Sequence, residues 1–140
     1  MFKRIITVLV MIITPALLLA APVTFLIENL QHNKGRVIVG IYHEKGFLKA
    51  GKEARDCISI GQLENNRARI ECDLQPGTYA AAVYHDENSN SEFDINFLGM
   101  SKEGYGFTNN PKLKFGPPSF EEASFKVTGK SVEMRIRLTY

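Results

Sequence analysis

The sequence lacks most of the marks of a catalytic or metal centre. Its two cysteines, Cys57 and Cys72, form no Cys-x-x-Cys pair, so the usual dithiol redox motif is missing. Its three histidines, His32, His43 and His85, have no His-x-x-x-His spacing, so a zinc centre has no local signature and surface or half-buried rings are expected. There is no Gly-x-Ser-x-Gly elbow, and the serines fall in turns or on polar strand faces, which leaves a hydrolytic triad unsupported. Paired carboxylates such as Asp86 and Asp94 have the chemistry for glycoside cleavage, but no signal sets their separation. A sustained helical period is also missing, apart from a turn around residues 47–54.

Long hydrophobic runs are scarce as well, with one exception at the start. Lys3 and Arg4 precede an apolar run over residues 5–19, followed by Ala20-Ala21 and Pro22. This layout predicts a signal peptide over residues 1–20, cut after Leu18-Leu19-Ala20, and a β domain over 21–140. The rival reading is a retained membrane anchor. The run is short of the roughly 20 residues that span a bilayer, and Thr7, Thr14 and Pro15 interrupt it. The expectation is therefore export to the periplasm or exterior, with no stable membrane span once the leader is gone.

An excess of one charge is missing too. Lys and Arg number 17 and Asp and Glu 15, so removing Lys3 and Arg4 leaves a formally neutral domain. Nucleic acid as a partner is excluded on that ground, because no basic footprint remains. About 120 residues suffice for one core without obligatory staples. In an oxidising compartment Cys57 and Cys72 have one possible pairing within the chain, which predicts a disulfide. Ala68, Ile70, Cys72 and Leu74 alternate with Arg67, Arg69, Glu71 and Asp73, turning Cys72 inward. With Ile58 and Ile60 as the inward set of the preceding strand, Cys57 turns outward, and a bulge near it would reconcile the two.

What the chain does have is period-two alternation. Val132, Met134, Ile136 and Leu138 alternate with Glu133, Arg135, Arg137 and Thr139 over residues 131–140, the pattern of a half-buried strand. Ala123, Phe125 and Val127 repeat it in short form, and Thr128-Gly129-Lys130 turns between the two. Further strands are expected at 23–30, 36–43, 57–62, 67–74 and 78–85. They are separated by turn chemistry at His32-Asn33-Lys34-Gly35, Glu64-Asn65-Asn66 and Gln75-Pro76-Gly77. About seven short strands on hairpin-length turns indicate an all-β, antiparallel, immunoglobulin-like or transthyretin-like sandwich. Leu74-Gln75-Pro76-Gly77-Thr78-Tyr79 fits a tyrosine corner, although Pro-Gly before Tyr is common in β proteins.

Residues 86–118 break the pattern. They hold Gly99, Gly104, Gly106, Gly116, Pro111, Pro117 and Pro118, yet Phe93, Phe97, Leu98, Tyr105, Phe107, Leu113 and Phe115 make them too apolar for a solvated tail. An ordered excursion pinned at its base is expected. At that base lies Asp86-Glu87-Asn88-Ser89-Asn90-Ser91-Glu92-Phe93-Asp94, with oxygen-bearing side chains at alternate positions. Asp86, Asn88, Asn90 and Asp94 occupy positions 1, 3, 5 and 9 of a calcium loop, with Glu92 at position 7. Two features depart from it: Ser91 replaces the Gly of the sharp bend, and Phe97 stands where a bidentate Glu belongs. Glu103 is the first candidate for the missing carboxylate, with Glu87 or Glu44 as others. Glu44 enters because Tyr42-His43-Glu44 echoes Tyr84-His85-Asp86, and parallel strands would bring the two acids to one rim. The competing reading of the whole stretch is a set of Asx turns.

Several ordered motifs carry a resemblance: residues 79–90 (Tyr-Ala-Ala-Ala-Val-Tyr-His-Asp-Glu-Asn-Ser-Asn), residues 97–110 around Lys102-Glu103-Gly104-Tyr105-Gly106-Phe107, and Pro117-Pro118-Ser119-Phe120. With these the chain resembles the bacterial secreted domain-of-unknown-function family 2141, across essentially all of the expected domain. The resemblance implies an exported β-sandwich with no assigned activity or substrate. That family's loop usually has Asn-Gly where this chain has Asn90-Ser91, and Glu103 falls inside the shared run. The reading that results is a non-enzymatic exported module of the envelope or exterior, stabilised by calcium. Phe93, Phe97, Tyr105 and Phe107 either present a surface to a glycan or envelope protein or fill a satellite core. The alternatives are an envelope-polymer hydrolase using Asp86, Asp94, Glu103 and His85, or a purely structural envelope protein.

Overall fold

A computed structural model describes residues 19–53, 55–58 and 63–140, with nothing said of the side chains of 55, 56 and 58. Residues 1–18 of the expected leader and Ile60 lie outside the described residues. The alternation over residues 67–74 becomes β4, Arg67–Leu74, where Ala68, Ile70, Cys72 and Leu74 are buried and the four charged residues alternating with them are exposed. It pairs antiparallel with β1, Ala21–Glu28, whose other neighbour is β8, Val132–Arg137. That second pairing is parallel, so an all-antiparallel plan is corrected here. Alternation sets which face is buried and carries no information on strand direction, so the sequence pattern could not show it.

The second sheet is built on β5, Gly77–Asp86, which pairs antiparallel with β2, Arg36–Tyr42. β3, Arg55–Ile58, adds to the far side of β2. The other edge of β5 is shared: β6, Tyr105–Phe107, takes the half from Ala82 to Tyr84, and β7, Ser124–Val127, takes the half from Gly77 to Ala80. One apolar core lies between the sheets, with Phe25, Ile27 and Ile136 from the first and Val37, Val39, Ile41, Val83 and Phe125 from the second. Phe25 and Phe125 meet edge to face across it at 6.1 Å. The Tyr79 hydroxyl donates to the Gln75 carbonyl at 2.8 Å, the bond that ties a tyrosine corner to its own turn.

Two short elements were not visible in the hydrophobic pattern. β6 has only three residues, and α1, Phe120–Ala123, only four, too few for any period to register. The local signal for α1 was the Ser119-x-x-Glu122 capping box, which forms in full. The turn expected around residues 47–54 is present, at 47–48 and 50–51, and a 3-10 turn at Glu44–Gly46 precedes it.

Cys57 and Cys72 are disulfide-bonded, joining β3 to β4 and so one sheet to the other. Closing that 15-residue separation restricts the unfolded chain by about 3 kcal/mol. The outward orientation expected of Cys57 is overturned. It lies opposite Val39, is buried, and belongs to the core. A four-residue strand offers too few alternations to set its register.

The expected Glu44–Asp86 rim is overturned as well. β2 and β5 are neighbours but antiparallel, with Arg36 opposite Asp86 and Tyr42 opposite Ala80. Glu44 follows Tyr42 and therefore lies at the far end of the sheet from Asp86. The end where β5 finishes gathers the 32–35 turn, the start of the long loop and the C-terminal Tyr140. Glycine is required at two places there. Gly35 has φ +73°, and a Cβ on it would lie 2.2 Å from the Asp86 carbonyl; a Cβ on Gly104 would run into the Tyr140 ring.

Candidate functional site

Asp86 ends β5 with its carboxylate fully buried. Arg36, directly across the strand pair, donates from Nε to Oδ2 at 2.8 Å. The backbone N–H of Asn90 donates to Oδ1 and that of Ser91 to Oδ2, both at 3.0 Å. The Arg36 guanidinium also reaches the Ser89 carbonyl and the Ser91 hydroxyl. Asp86 thus folds the chain back on itself over five residues. Ser89 and Ser91 carry the bend at φ +58° and +67°, so Ser91 adopts the left-handed conformation that the missing Gly would take freely.

Asn88, Asn90 and Asp94 converge on one another. The amide oxygen of Asn88 accepts from Asn90 N and that of Asn90 from Glu92 N, which turns both NH2 groups toward Asp94. They donate to Asp94 Oδ2 at 2.7 Å and 3.0 Å. The Asx turns weighed in the sequence are therefore present. Glu92 contributes its backbone N–H, while its side chain is exposed.

Glu103 closes the far end of the loop. Its carboxylate is buried, with Oε1 accepting from Glu87 N and Oε2 from Asp94 N, each at 3.1 Å. Of the six expected ligands, Asn88, Asn90 and Asp94 meet at one point, while Asp86 and Glu103 are spent on backbone N–H groups. Among the described residues no group of three or more His, Cys, Asp or Glu side chains is placed to hold a metal ion.

Distant segments complete the site. His32 donates from Nε2 to Glu87 at 2.9 Å. His85, expected at the surface or half-buried, is fully buried. Its Nε2–H donates to the Lys34 carbonyl at 2.6 Å, and its Nδ1 accepts from Tyr140, whose oxygen accepts in turn from Gln31 N. Arg36 and Tyr140 carried no motif, and His32 and Lys34 were marked only as turn residues. Only strand register brings them here, so the signal lay in pairing and not in spacing. A cleft of about 410 Å³ opens between these groups, lined by His32, Lys34, Glu87, Asn88, Asp94, Lys102 and Glu103.

Burial raises the Glu103 pKa above its ordinary value of 4.5. The backbone N–H groups of Asp94 and Glu87 oppose this, and the nearby Asp94 and Asp86 carboxylates add to it. Folded Glu103 therefore holds more proton than unfolded Glu103 between 4.5 and its raised value. The stability from this group is fully present below that window and is lost as pH rises through it. Urea denaturation across a pH series should show the wild type losing stability relative to Glu103→Gln as pH rises above 4.5. Parallel pH profiles would contradict this assignment.

The aromatics divide into two uses. Phe93 meets Tyr84 at 5.7 Å and Tyr105 at 6.0 Å, and Tyr105 meets Phe107 at 6.2 Å, all edge to face. These four rings form a satellite cluster and present no common flat face. Phe97 is 96% exposed and belongs to no such cluster.

No curated protein and no solved structure matches the chain. A family model described as an uncharacterized protein conserved in bacteria (DUF2141) matches residues 26–135, and the chain belongs to that family.

Proposed function

We propose that this chain is an exported, non-enzymatic β-sandwich of the immunoglobulin-like or transthyretin-like kind, acting as a binding or structural module of the bacterial envelope or exterior. One observation carries the reading: the acids at the loop rim hold the loop's own backbone and side chains. Asp86 and Glu103 accept four backbone N–H bonds between them, and Asp94 receives two amide NH2 groups. A hydrolase needs an acid and a base within reach of a substrate. Asp86 and His85 are both fully buried and engaged, which supports a shaping role over the hydrolytic alternative.

Calcium belongs to this reading at one point only. Asp94 with Asn88 and Asn90 offers the convergent set, and an ion there would take the place of the two NH2 groups as the amides turn their oxygens inward. The cost is the pair of N–H bonds those oxygens now accept. At about a hundredfold over the dissociation constant, binding would add about 2.7 kcal/mol to stability. Calorimetry on the chelated protein should give one binding event, with a higher melting temperature in calcium than in chelator. Absence of both heat and melting shift would remove calcium and leave the module standing without it.

A further inference from the structure

We propose that the long-loop end of the domain docks on a phospholipid bilayer whose headgroups carry both charge signs, a proposal that rests on the module reading above and names its partner. The apolar tip of the loop enters the acyl boundary, and the cleft at its foot receives a headgroup.

The tip is a small closed hairpin over residues 95–101. Ile95 and Ser101 form a bridge, and the Asn96 amide oxygen accepts from Leu98 N at 2.9 Å and Met100 N at 3.0 Å. Asn96 N donates to the Met100 carbonyl and Gly99 N to that of Asn96. Asn96 thus satisfies the backbone of the turn from within, leaving its side chains free to point outward. Ile95 is 56% exposed, Phe97 96%, Leu98 67% and Met100 58%. Exposures this high mean that the four do not cover one another. Four exposed apolar side chains within residues 95–100 mark a contact site. Side chains splayed from a tight turn make a poor flat interface, and a fluid acyl layer conforms to them.

The foot of the tip supplies the polar half. Lys102 N donates to the Asp94 carbonyl at 2.9 Å, and both residues line the cleft. Its carboxylates are already occupied: Glu103 by two backbone N–H groups, Asp94 by two amides and Glu87 by His32. The ammonium groups of Lys34 and Lys102 make no ion pair or hydrogen bond among the described residues. Two free cationic donors stand over a floor of paired carboxylates. That arrangement complements a phosphate near the lysines and an ammonium near Glu87 and Asp94, the two ends of a zwitterionic headgroup. A purely anionic headgroup would gain the first contact and meet repulsion at the second.

The test is co-sedimentation of the purified protein with vesicles of phosphatidylethanolamine and phosphatidylcholine, compared with vesicles of phosphatidylglycerol alone. Binding to the zwitterionic vesicles should weaken roughly tenfold in the Phe97→Ser, Leu98→Ser double variant, the loss expected for withdrawing two partly inserted side chains. The Lys34→Ala, Lys102→Ala variant should weaken it several-fold. Both variants alter exposed groups, so their unchanged melting temperatures serve as the folding control. No sedimentation by the wild type overturns the proposal, as does wild-type binding by the tip variant, which would assign vesicle affinity to another part of the chain such as residues 5–19. Equal or stronger binding to phosphatidylglycerol overturns the headgroup assignment. Failure here removes the bilayer as partner and leaves the module reading in place, and a calcium-insensitive melt leaves vesicle binding untouched.

Discussion

Replacing Arg36 by Met is expected to lower the unfolding free energy by about 3 to 5 kcal/mol. Asp86 is the most deeply buried acid at the site, and Arg36 Nε lies 2.8 Å from its Oδ2. Met retains much of the packing volume and removes the charge, so the carboxylate remains buried with only the Asn90 and Ser91 N–H groups as partners. The double variant Arg36→Met, Asp86→Asn should recover part of the loss, because the orphaned charge disappears with its partner. Chemical denaturation of both singles and the double gives the coupling directly. Equal losses in Arg36→Met and in the double variant would mean that the ion pair is not what holds this end of β5.

Glu103→Ala is the second large effect, at about 3 kcal/mol. Two backbone donors 7 residues apart, Glu87 N and Asp94 N, share this one buried carboxylate, and its removal leaves both without that acceptor. For a domain of this size the loss corresponds to a melting temperature lower by about 10 °C. Hydrogen exchange should locate the change, with amides 87 and 94 losing protection while β1 and β4 keep theirs. Glu103→Gln retains one acceptor and should lie between the wild type and Ala. A Glu103→Ala protein with wild-type stability would show the loop held by its aromatics alone, through Phe93 on Tyr84 and Tyr105.

The two predictions separate what could be read from the chain and what could not. The Asx spacing of residues 86–94 was legible because Asp86, Asn88 and Asn90 each bond within a few positions of themselves, which is local chemistry. Glu103 was legible as the loop's additional carboxylate, although the backbone groups it holds were not. Arg36 was invisible as the partner of Asp86, since the two are 50 positions apart and meet only through the register of β2 on β5. The same register sent Glu44 to the opposite end and defeated the echo that had suggested it.

Alternating apolar residues, turn chemistry and a single cysteine pair were enough, without coordinates, to establish a two-faced β protein, because burial with period two and short-range bonding are properties of neighbouring residues. Strand direction, the parallel seating of β8 on β1, the inward turn of Cys57 and the assembly of the loop's base from four separate segments were decided only when the sheets packed. Those outcomes depend on hydrogen-bond register between distant strands, which no local window of sequence contains.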